Sequence, residues 1–116
     1  MSLAGNTSDA RLEAALQQWV DTKSYRIPDT TLVQTATRLG VQSVILYRYF
    51  ARKGIDFRSW RSRLRMQDAM QELLSFPDDS VSLIAHRVGF TDRSNFCRQF
   101  KEFTGQTPEI WRKNQK

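Results

Sequence analysis

The sequence predicts an all-α fold of about seven helices. Three observations predict it. Alternating β-branched runs, the mark of a half-buried strand, do not occur, and apolar residues recur at helical spacing instead. Gly and Pro fall between the periodic segments, where they stop helices or start them. A helix–glycine–helix pattern occurs twice along the chain.

Helix 1 is expected at about 9–23, with Ser8 or Asp9 as cap. Leu12, Ala15, Leu16, Trp19 and Val20 form its i, i+3, i+4, i+7, i+8 stripe. Pro28-Asp29-Thr30 is a break. Helix 2, about 30–38, carries apolar Leu32, Val33, Ala36 and Leu39, and Gly40 stops it in a left-handed conformation. Helix 3, about 43–53, is capped near Gln42 or Ser43. Asp56 is the N-cap of helix 4, about 57–75, whose stripe is Phe57, Trp60, Leu64, Met70, Leu73 and Leu74. Phe76-Pro77-Asp78-Asp79-Ser80 ends it. Helix 5, about 80–88, uses Val81, Ile84, Ala85 and Val88. Helix 6, about 92–103, is capped by Asp92, turns Phe96, Phe100 and Phe103 inward, and ends at Gly105. Helix 7, about 108–114, has Thr107 as cap and Pro108 at its first position, where the missing N–H costs nothing.

Composition narrows the function classes. The chain of 116 residues suits one compact domain or two very small subdomains. A net charge of +6 favours a polyanionic partner, either nucleic acid or an anionic membrane surface. No apolar run approaches the ~20 residues of a membrane span, and no secretory h-region opens the chain. Cys97 alone makes no internal disulfide, and Cys97 with His86 makes no zinc site. Neither a metal nor a cofactor is expected, and a reducing cytoplasm fits. No catalytic constellation is visible, so an enzyme is not expected. Arg48, Arg52, Lys53, Arg58, Arg61, Arg63 and Arg65 form a basic run opposed only by Asp56. It is either a solvated helix face or part of a polyanion-binding surface.

The two helix–glycine–helix segments align. Residues 32–40 lie on 81–89, so Ala36 meets Ala85, Arg38 meets Arg87 and Gly40 meets Gly89. Beyond the glycine, Phe50 matches Phe100, Gly54 falls near Gly105 and Trp60 near Trp111. A small alanine for close helix approach and a glycine for the reversal are what a helix-turn-helix needs, and its second helix enters the major groove. Arg93, Ser94, Cys97, Arg98 and Lys101 share a free face of helix 6. On helix 3, Leu46, Tyr49, Phe50 and Lys53 fall on the core side, and Val44, Tyr47, Arg48 and Ala51 on another stripe. Arg93 and Arg98 can bond guanine in bidentate fashion; Cys97 can meet a thymine methyl. Asn95 either pairs with adenine or sits at the edge of its subdomain. Phosphate contacts are expected from Lys101, Arg112 and Arg52, and from helix N-terminal amides near Ser43, Asp92 and Thr107. Trp19, Trp60 and Trp111 are read as core, His86 as an exposed helix residue, and Asp78-Asp79 as a turn and cap.

Ile84-Ala85, Gly89-Phe90, Asp92, Phe96, Arg98, Phe100-Lys101, Gly105, Thr107-Pro108 and Trp111-Arg112 resemble, in order and spacing, the signature of the AraC/XylS family of bacterial transcription regulators. The first unit is similar through Ala36, Gly40, Leu46 and Phe50, with Ala51 where the family usually has lysine and a link from Phe50 to Gly54 one residue shorter. Arg65-Met66 and Ala69 resemble the family's linker helix. The resemblance implies seven helices in two homeodomain-like helix-turn-helix subdomains, at 9–54 and 77–114, joined by a linker helix at 55–76. It implies base contacts at Val44, Tyr47, Arg48, Arg93, Ser94, Asn95, Cys97 and Arg98. It also implies sequence-specific binding of double-stranded DNA near promoters, in the cytoplasm at the nucleoid. RNA polymerase and a sensory or dimerisation domain, absent from this chain, are further partners to expect. A linker helix of about nineteen residues is roughly 28 Å long at ~1.5 Å per residue, close to the ~34 Å between major-groove segments on one DNA face. One chain is therefore expected to read two adjacent segments. The alternatives are a non-specific nucleic-acid-binding module and a protein-interaction bundle.

Overall fold

The computed structural model describes residues 3–28 and 31–115. Among them are seven α-helices, one short 3-10 turn and no strand. The helices are α1 (Leu3–Asp21), α2 (Leu32–Leu39), α3 (Ser43–Lys53), α4 (Phe57–Ser75), α5 (Val81–Arg87), α6 (Arg93–Thr104) and α7 (Pro108–Asn114); the turn is Ser24–Arg26. The chain divides into two compact units. The first runs through Tyr25 and resumes as far as Trp60. The second takes Arg26–Pro28 and everything from Arg61 onward.

Most boundaries follow local chemistry. The Thr31 hydroxyl accepts from the Gln34 N–H while the Gln34 amide oxygen accepts from the Thr31 N–H, a reciprocal capping box at the head of α2. The Asp56 carboxylate accepts from both the N–H and the hydroxyl of Ser59, which hold it below its ordinary pKa. Ser80 and Thr107 cap α5 and α7 through their hydroxyls. Helix α1 departs from expectation: it begins at Leu3, so Ser8 and Asp9 lie inside it. Asp9 is no cap; its carboxylate accepts from Arg52 at 3.0 and 3.2 Å. The predicted break at Pro28-Asp29-Thr30 falls partly outside the described residues.

The first unit is built on aromatic rings. Trp19 stacks on Trp60 with centroids 5.5 Å apart, and Phe50 meets Trp60 at 5.2 Å and Phe57 at 5.5 Å. Leu12, Leu16, Ala36 and Leu46 complete its buried interior. Val33 was expected in this core and is exposed, because α2 buries Thr35 and Ala36 instead. The Thr35 hydroxyl donates to the Thr31 carbonyl at 2.9 Å, so its methyl is buried with no polar group orphaned. Lys53, placed on the core side by periodicity, is half exposed; its ammonium reaches Glu13 at 3.6 Å and lies 5.6 Å from the Tyr49 ring centroid.

The second unit packs Met66, Ala69 and Leu73 of α4 against Val81, Ile84, Ala85, Val88, Phe90, Phe96, Phe100 and Trp111. Phe90, Phe96, Phe100 and Trp111 form a ladder with successive centroids 5.2, 5.7 and 5.7 Å apart. Leu74 and Phe103 do not join this core: they are 51% and 42% exposed. Leu74 sits a helical step of ~100° from Leu73, and the 66, 69, 73 stripe fills the interface. Phe103 lies in the last turn of α6, past Phe100, which makes the contact to Trp111.

The predicted repeat is present bond for bond. Val41 N–H donates to the Ala36 carbonyl at 3.0 Å, and Phe90 N–H donates to the Ala85 carbonyl at 2.9 Å. Gly40 and Gly89 donate to Thr37 and His86, each at 3.1 Å. The two glycines nevertheless meet different surroundings. At Gly40, φ is +74° and an added Cβ meets open space. At Gly89, φ is +107° and an added Cβ lies 2.3 Å from the Arg26 carbonyl oxygen.

Segment Arg26–Pro28 is tied down by buried charge. Arg26 Nε donates to Asp68 at 2.5 Å and its Nη2 lies 3.6 Å from Glu72. Arg65, buried, donates to the Ile27 carbonyl at 2.7 Å and lies over the Phe90 ring. Arg87 of α5 pairs with the same Glu72 and with Asp79 at 2.7 Å, and these two acceptors raise its pKa, Glu72 foremost. The network breaks up the basic run read from the sequence: Arg65 is interior and Arg61 is partly buried.

Two outcomes follow. Gly89→Ala combines left-handed strain with overlap on fixed backbone and is expected to cost about 3 kcal/mol or more, against about 1–2 kcal/mol for Gly40→Ala; denaturant unfolding of the two variants measures the difference. Tyr49 is the second case. Burial, then its hydrogen bond to Glu13 at 2.8 Å and the nearby carboxylates, push its pKa up to about 12 from 10, with Arg52 opposing. A raised phenol pKa means that its contribution is fully present below pH 10 and is lost as pH climbs from 10 to 12. Stability of Tyr49→Phe should therefore fall less steeply than wild type across that window, as read by unfolding at a series of alkaline pH values.

Candidate nucleic-acid interface

Each unit leaves one face of its second helix uncovered. In the first, Leu46, Tyr49 and Phe50 anchor α3 inward. The opposite side then carries Val44, Tyr47, Arg48 and Ala51, all exposed. Tyr47 is the most exposed of the large apolar residues at 64%. The Arg48 side chain has no hydrogen-bond or ion-pair partner among the described residues. Gln42 makes no side-chain cap at the start of α3, so the first-turn N–H groups beginning at Ser43 lack the acceptor that the other second helix has.

In the second unit, Phe96 and Phe100 anchor α6, and Asp92 caps it by accepting from the Ser94 N–H at 3.0 Å. Arg93, Ser94, Arg98 and Lys101 project outward and are exposed. Arg93 pairs with Glu109 of α7. Arg98 donates to the Asn95 amide oxygen and lies 3.8 Å from Glu102. Gln99 also donates to the Asn95 oxygen, at 3.2 Å, and Ser62 of α4 donates to Gln99 at 2.8 Å. Lys101 has no side-chain partner among the described residues.

Cys97 and Arg112 sit differently from the sequence reading, and Thr107 is the cap it names. Cys97 is half-buried and packs against the core cluster, so it borders the free face instead of standing on it. Burial raises its thiol pKa, with Arg93 opposing and Glu109 adding. The Arg112 guanidinium is directed at the carbonyls of Leu73 and Phe76, at 3.0 and 3.1 Å, where it satisfies the last turn of α4. The Thr107 hydroxyl accepts from Ile110 at 3.4 Å as a cap. Arg52 keeps its exposure while paired with Asp9. Sequence reasoning missed Ser62 and Gln99. A serine in a basic helix and a glutamine beside an aromatic carry no local signal, and their pairing spans 37 positions. Exposed Arg58 and Arg63 on α4 add cationic surface.

The arrangement suits a polyanion read along an edge. Two capped or open helix heads supply amide donors, and arginines and a tyrosine stand on rigid helical turns. No helix among the described residues is long and apolar enough to cross a membrane.

Residues 35–114 match the sequence profile of a helix-turn-helix domain family. Regulatory protein PocR of Salmonella typhimurium is 30% identical over 105 residues, which cover 90% of this chain and 33% of PocR. The chain thus spans about a third of that relative's length. The C-terminal domain of AraT, a response regulator from Geobacillus stearothermophilus, superposes with a TM-score of 0.76 at 30% identity, covering 90% of this chain and 84% of that domain. The DNA-binding domain of AdpA, solved in complex with a target DNA, has a TM-score of 0.71 at 21% identity and covers 89% and 90% of the two chains. At that identity it speaks to the fold.

The Cys97 environment makes one outcome measurable. With its thiol pKa raised by burial, the thiolate fraction near neutral pH is below that of an ordinary cysteine. Alkylation by iodoacetamide at pH 7.5 should run several-fold slower than for free cysteine and match it after denaturation.

Proposed function

Because the chain belongs to the AraC-type helix-turn-helix family, we propose that it binds double-stranded DNA in a sequence-specific manner and thereby regulates bacterial transcription. The observation that carries this reading is the duplicated turn. Both units repeat the same hydrogen-bonded alanine–glycine turn, and each turn leads into a helix anchored by a buried aromatic side with arginine on its exposed face. A net charge of +6 supplies the attraction to phosphate that such a binder needs. PocR, a relative over most of this chain, is named a regulatory protein, and AdpA is named a transcriptional factor with its target DNA bound.

The roles divide by exposure and partner. Arg98 and Arg93 on α6, and Arg48 on α3, are assigned to base edges, where a guanidinium offers two parallel donors to guanine. Tyr47, Val44 and Ser94 add contacts on the same faces, and Cys97 offers at most its edge to a thymine methyl. Lys101, Arg52 and the amides at Ser43 are assigned to phosphate. Arg112 and Thr107 were expected there too. The Arg112 side chain already serves the end of α4, so any phosphate contact from it is secondary; Thr107 caps α7 and is assigned to phosphate through the amides at that helix start. The two second helices are assigned to successive major-groove segments, with RNA polymerase and a separate sensory or dimerisation domain as the remaining partners. The cytoplasm is the compartment this reading requires.

A salt titration on a selected site and on random duplex tests the reading. The selected site should bind ~10³-fold or more tightly than random DNA, and both affinities should fall steeply with salt. Equal affinity for the two duplexes would leave a non-specific binder. Arg98→Ala should cost about 1–3 kcal/mol and relax preference at one base position, whereas Lys101→Ala should weaken all sequences alike and flatten the salt slope. A footprint confined to one half-turn of DNA would refute engagement of both helices.

A further inference from the structure

Four side chains of the second unit form one hydrogen-bonded line. Ser62 Oγ donates to Gln99 Oε1 at 2.8 Å, Gln99 Nε2 donates to Asn95 Oδ1 at 3.2 Å, and Arg98 Nη2 donates to that same Oδ1. The polarity of the line is forced. A guanidinium only donates, so Asn95 must face it with oxygen; Gln99 must then offer its NH2 to Asn95, and its own oxygen is left for the Ser62 hydroxyl. Both acceptor positions of Asn95 Oδ1 are thereby filled.

This has two consequences for DNA reading. Bidentate pairing of asparagine with adenine needs Oδ1 free to accept from the base amine while Nδ2 donates to N7. In this unit Oδ1 is committed to Arg98 and Gln99. Arg98, in contrast, is 64% exposed at its side chain yet tethered at one end of its guanidinium. A tethered arginine gives up less side-chain freedom on pairing with a base than a free one.

The repeat contains its own comparison. With Phe50 on Phe100, Arg48 occupies the position of Arg98, Ile45 that of Asn95, and Tyr49 that of Gln99. Isoleucine accepts no hydrogen bond, and the Tyr49 hydroxyl is turned to Glu13. Arg48 therefore stands untethered where Arg98 is held.

The geometry points to Asn95, Gln99 and Ser62 as a positioning relay that presets the Arg98 guanidinium for base recognition, with α4 setting the selectivity of α6 through Ser62. Asn95 is a positioning residue and not a base reader. The inference rests on the assignment of α6 to base contacts. It requires that discrimination be sharper at the base opposite Arg98 than at the base opposite Arg48.

The full chain is tested on duplexes varied one base at a time. Arg98→Ala first identifies the position that Arg98 reads. At that position alone, Ser62→Ala and Gln99→Leu should each lower discrimination by about threefold to tenfold, with an unchanged salt slope. Ser62→Thr, which keeps the hydroxyl, should retain wild-type preference. On an Arg98→Ala background neither variant should have a further effect. In the free protein, Ser62→Ala should move the Asn95 and Gln99 side-chain amide resonances toward those of solvated amides. Unchanged base preference in Ser62→Ala and Gln99→Leu, an equal loss on every duplex, or an effect that persists without Arg98 would each overturn the relay while leaving DNA reading intact. If Arg98→Ala changes preference at no position, base reading by α6 fails, and the relay's role in recognition falls with it.

Discussion

The second unit depends on a close approach of two backbones. Gly89 turns the chain from α5 to α6 at a point where a Cβ would lie 2.3 Å from the Arg26 carbonyl oxygen. Only glycine permits both that approach and a φ of +107°. What presses the Arg26–Pro28 segment there is charge held out of water. Asp68 and Glu72 on α4 grip Arg26, Arg65 grips Ile27, and Glu72 shares Arg87 with Asp79. Partly buried ion pairs of this kind contribute little net stability over an apolar substitute, but leaving buried Asp68 or Glu72 unpaired would be costly. The network ties the Arg26–Pro28 segment to α4. Its members lie on α4, α5 and the segment before α2, so the turn that aims α6 is clamped from several directions.

The first unit solves the same turn without that clamp. Gly40 closes it with the same hydrogen bonds but has open space where its Cβ would be. Its packing rests on rings instead: Trp19 on Trp60, and Phe50 against Trp60 and Phe57. The two second helices inherit this difference. Around α6 the polar groups on the free face are already organised, with Arg93 on Glu109 and Arg98 on Asn95. On α3, Tyr47 and Arg48 stand exposed with no such support. A single duplicated sequence pattern has thus produced one exposed face whose arginines are paired and one whose arginine is not.

Much of the fold was legible because its signals are local. Asp56, Asp92 and Thr107 cap helices from within three residues, and Gly40, Gly54 and Gly105 stop them in the left-handed region that favours glycine; at α5 the cap is Ser80, not Asp78-Asp79, because the Asp79 carboxylate pairs with Arg87. Phe50 with Trp60, and Phe100 with Trp111, pack at 5.2 and 5.7 Å, as the aligned repeat requires. Expectations failed where burial depended on what lies opposite. Val33, Leu74 and Phe103 have the right residue type but face no partner element, whereas Thr35 is buried because its hydroxyl is satisfied by its own helix. Asp9 looked like a cap and became an ion-pair partner, since α1 begins before it.

The sequence by itself determined the seven helices, the two turns and which faces carry arginine, because caps, glycine stops and 3.6-residue periodicity act over a few positions. Only the tertiary structure decided which arginines are available. Arg65 and Arg112 belong to the basic inventory of the chain, yet one is buried on Ile27 and Phe90 and the other closes the end of α4. Asn95 and Arg98 are neighbours in sequence, but the bond that orients them reaches back to Ser62, 37 positions from Gln99. Side chains of the same chemistry are sorted into interior, cap and free surface by partners far along the chain, and no local pattern records where those partners come to rest.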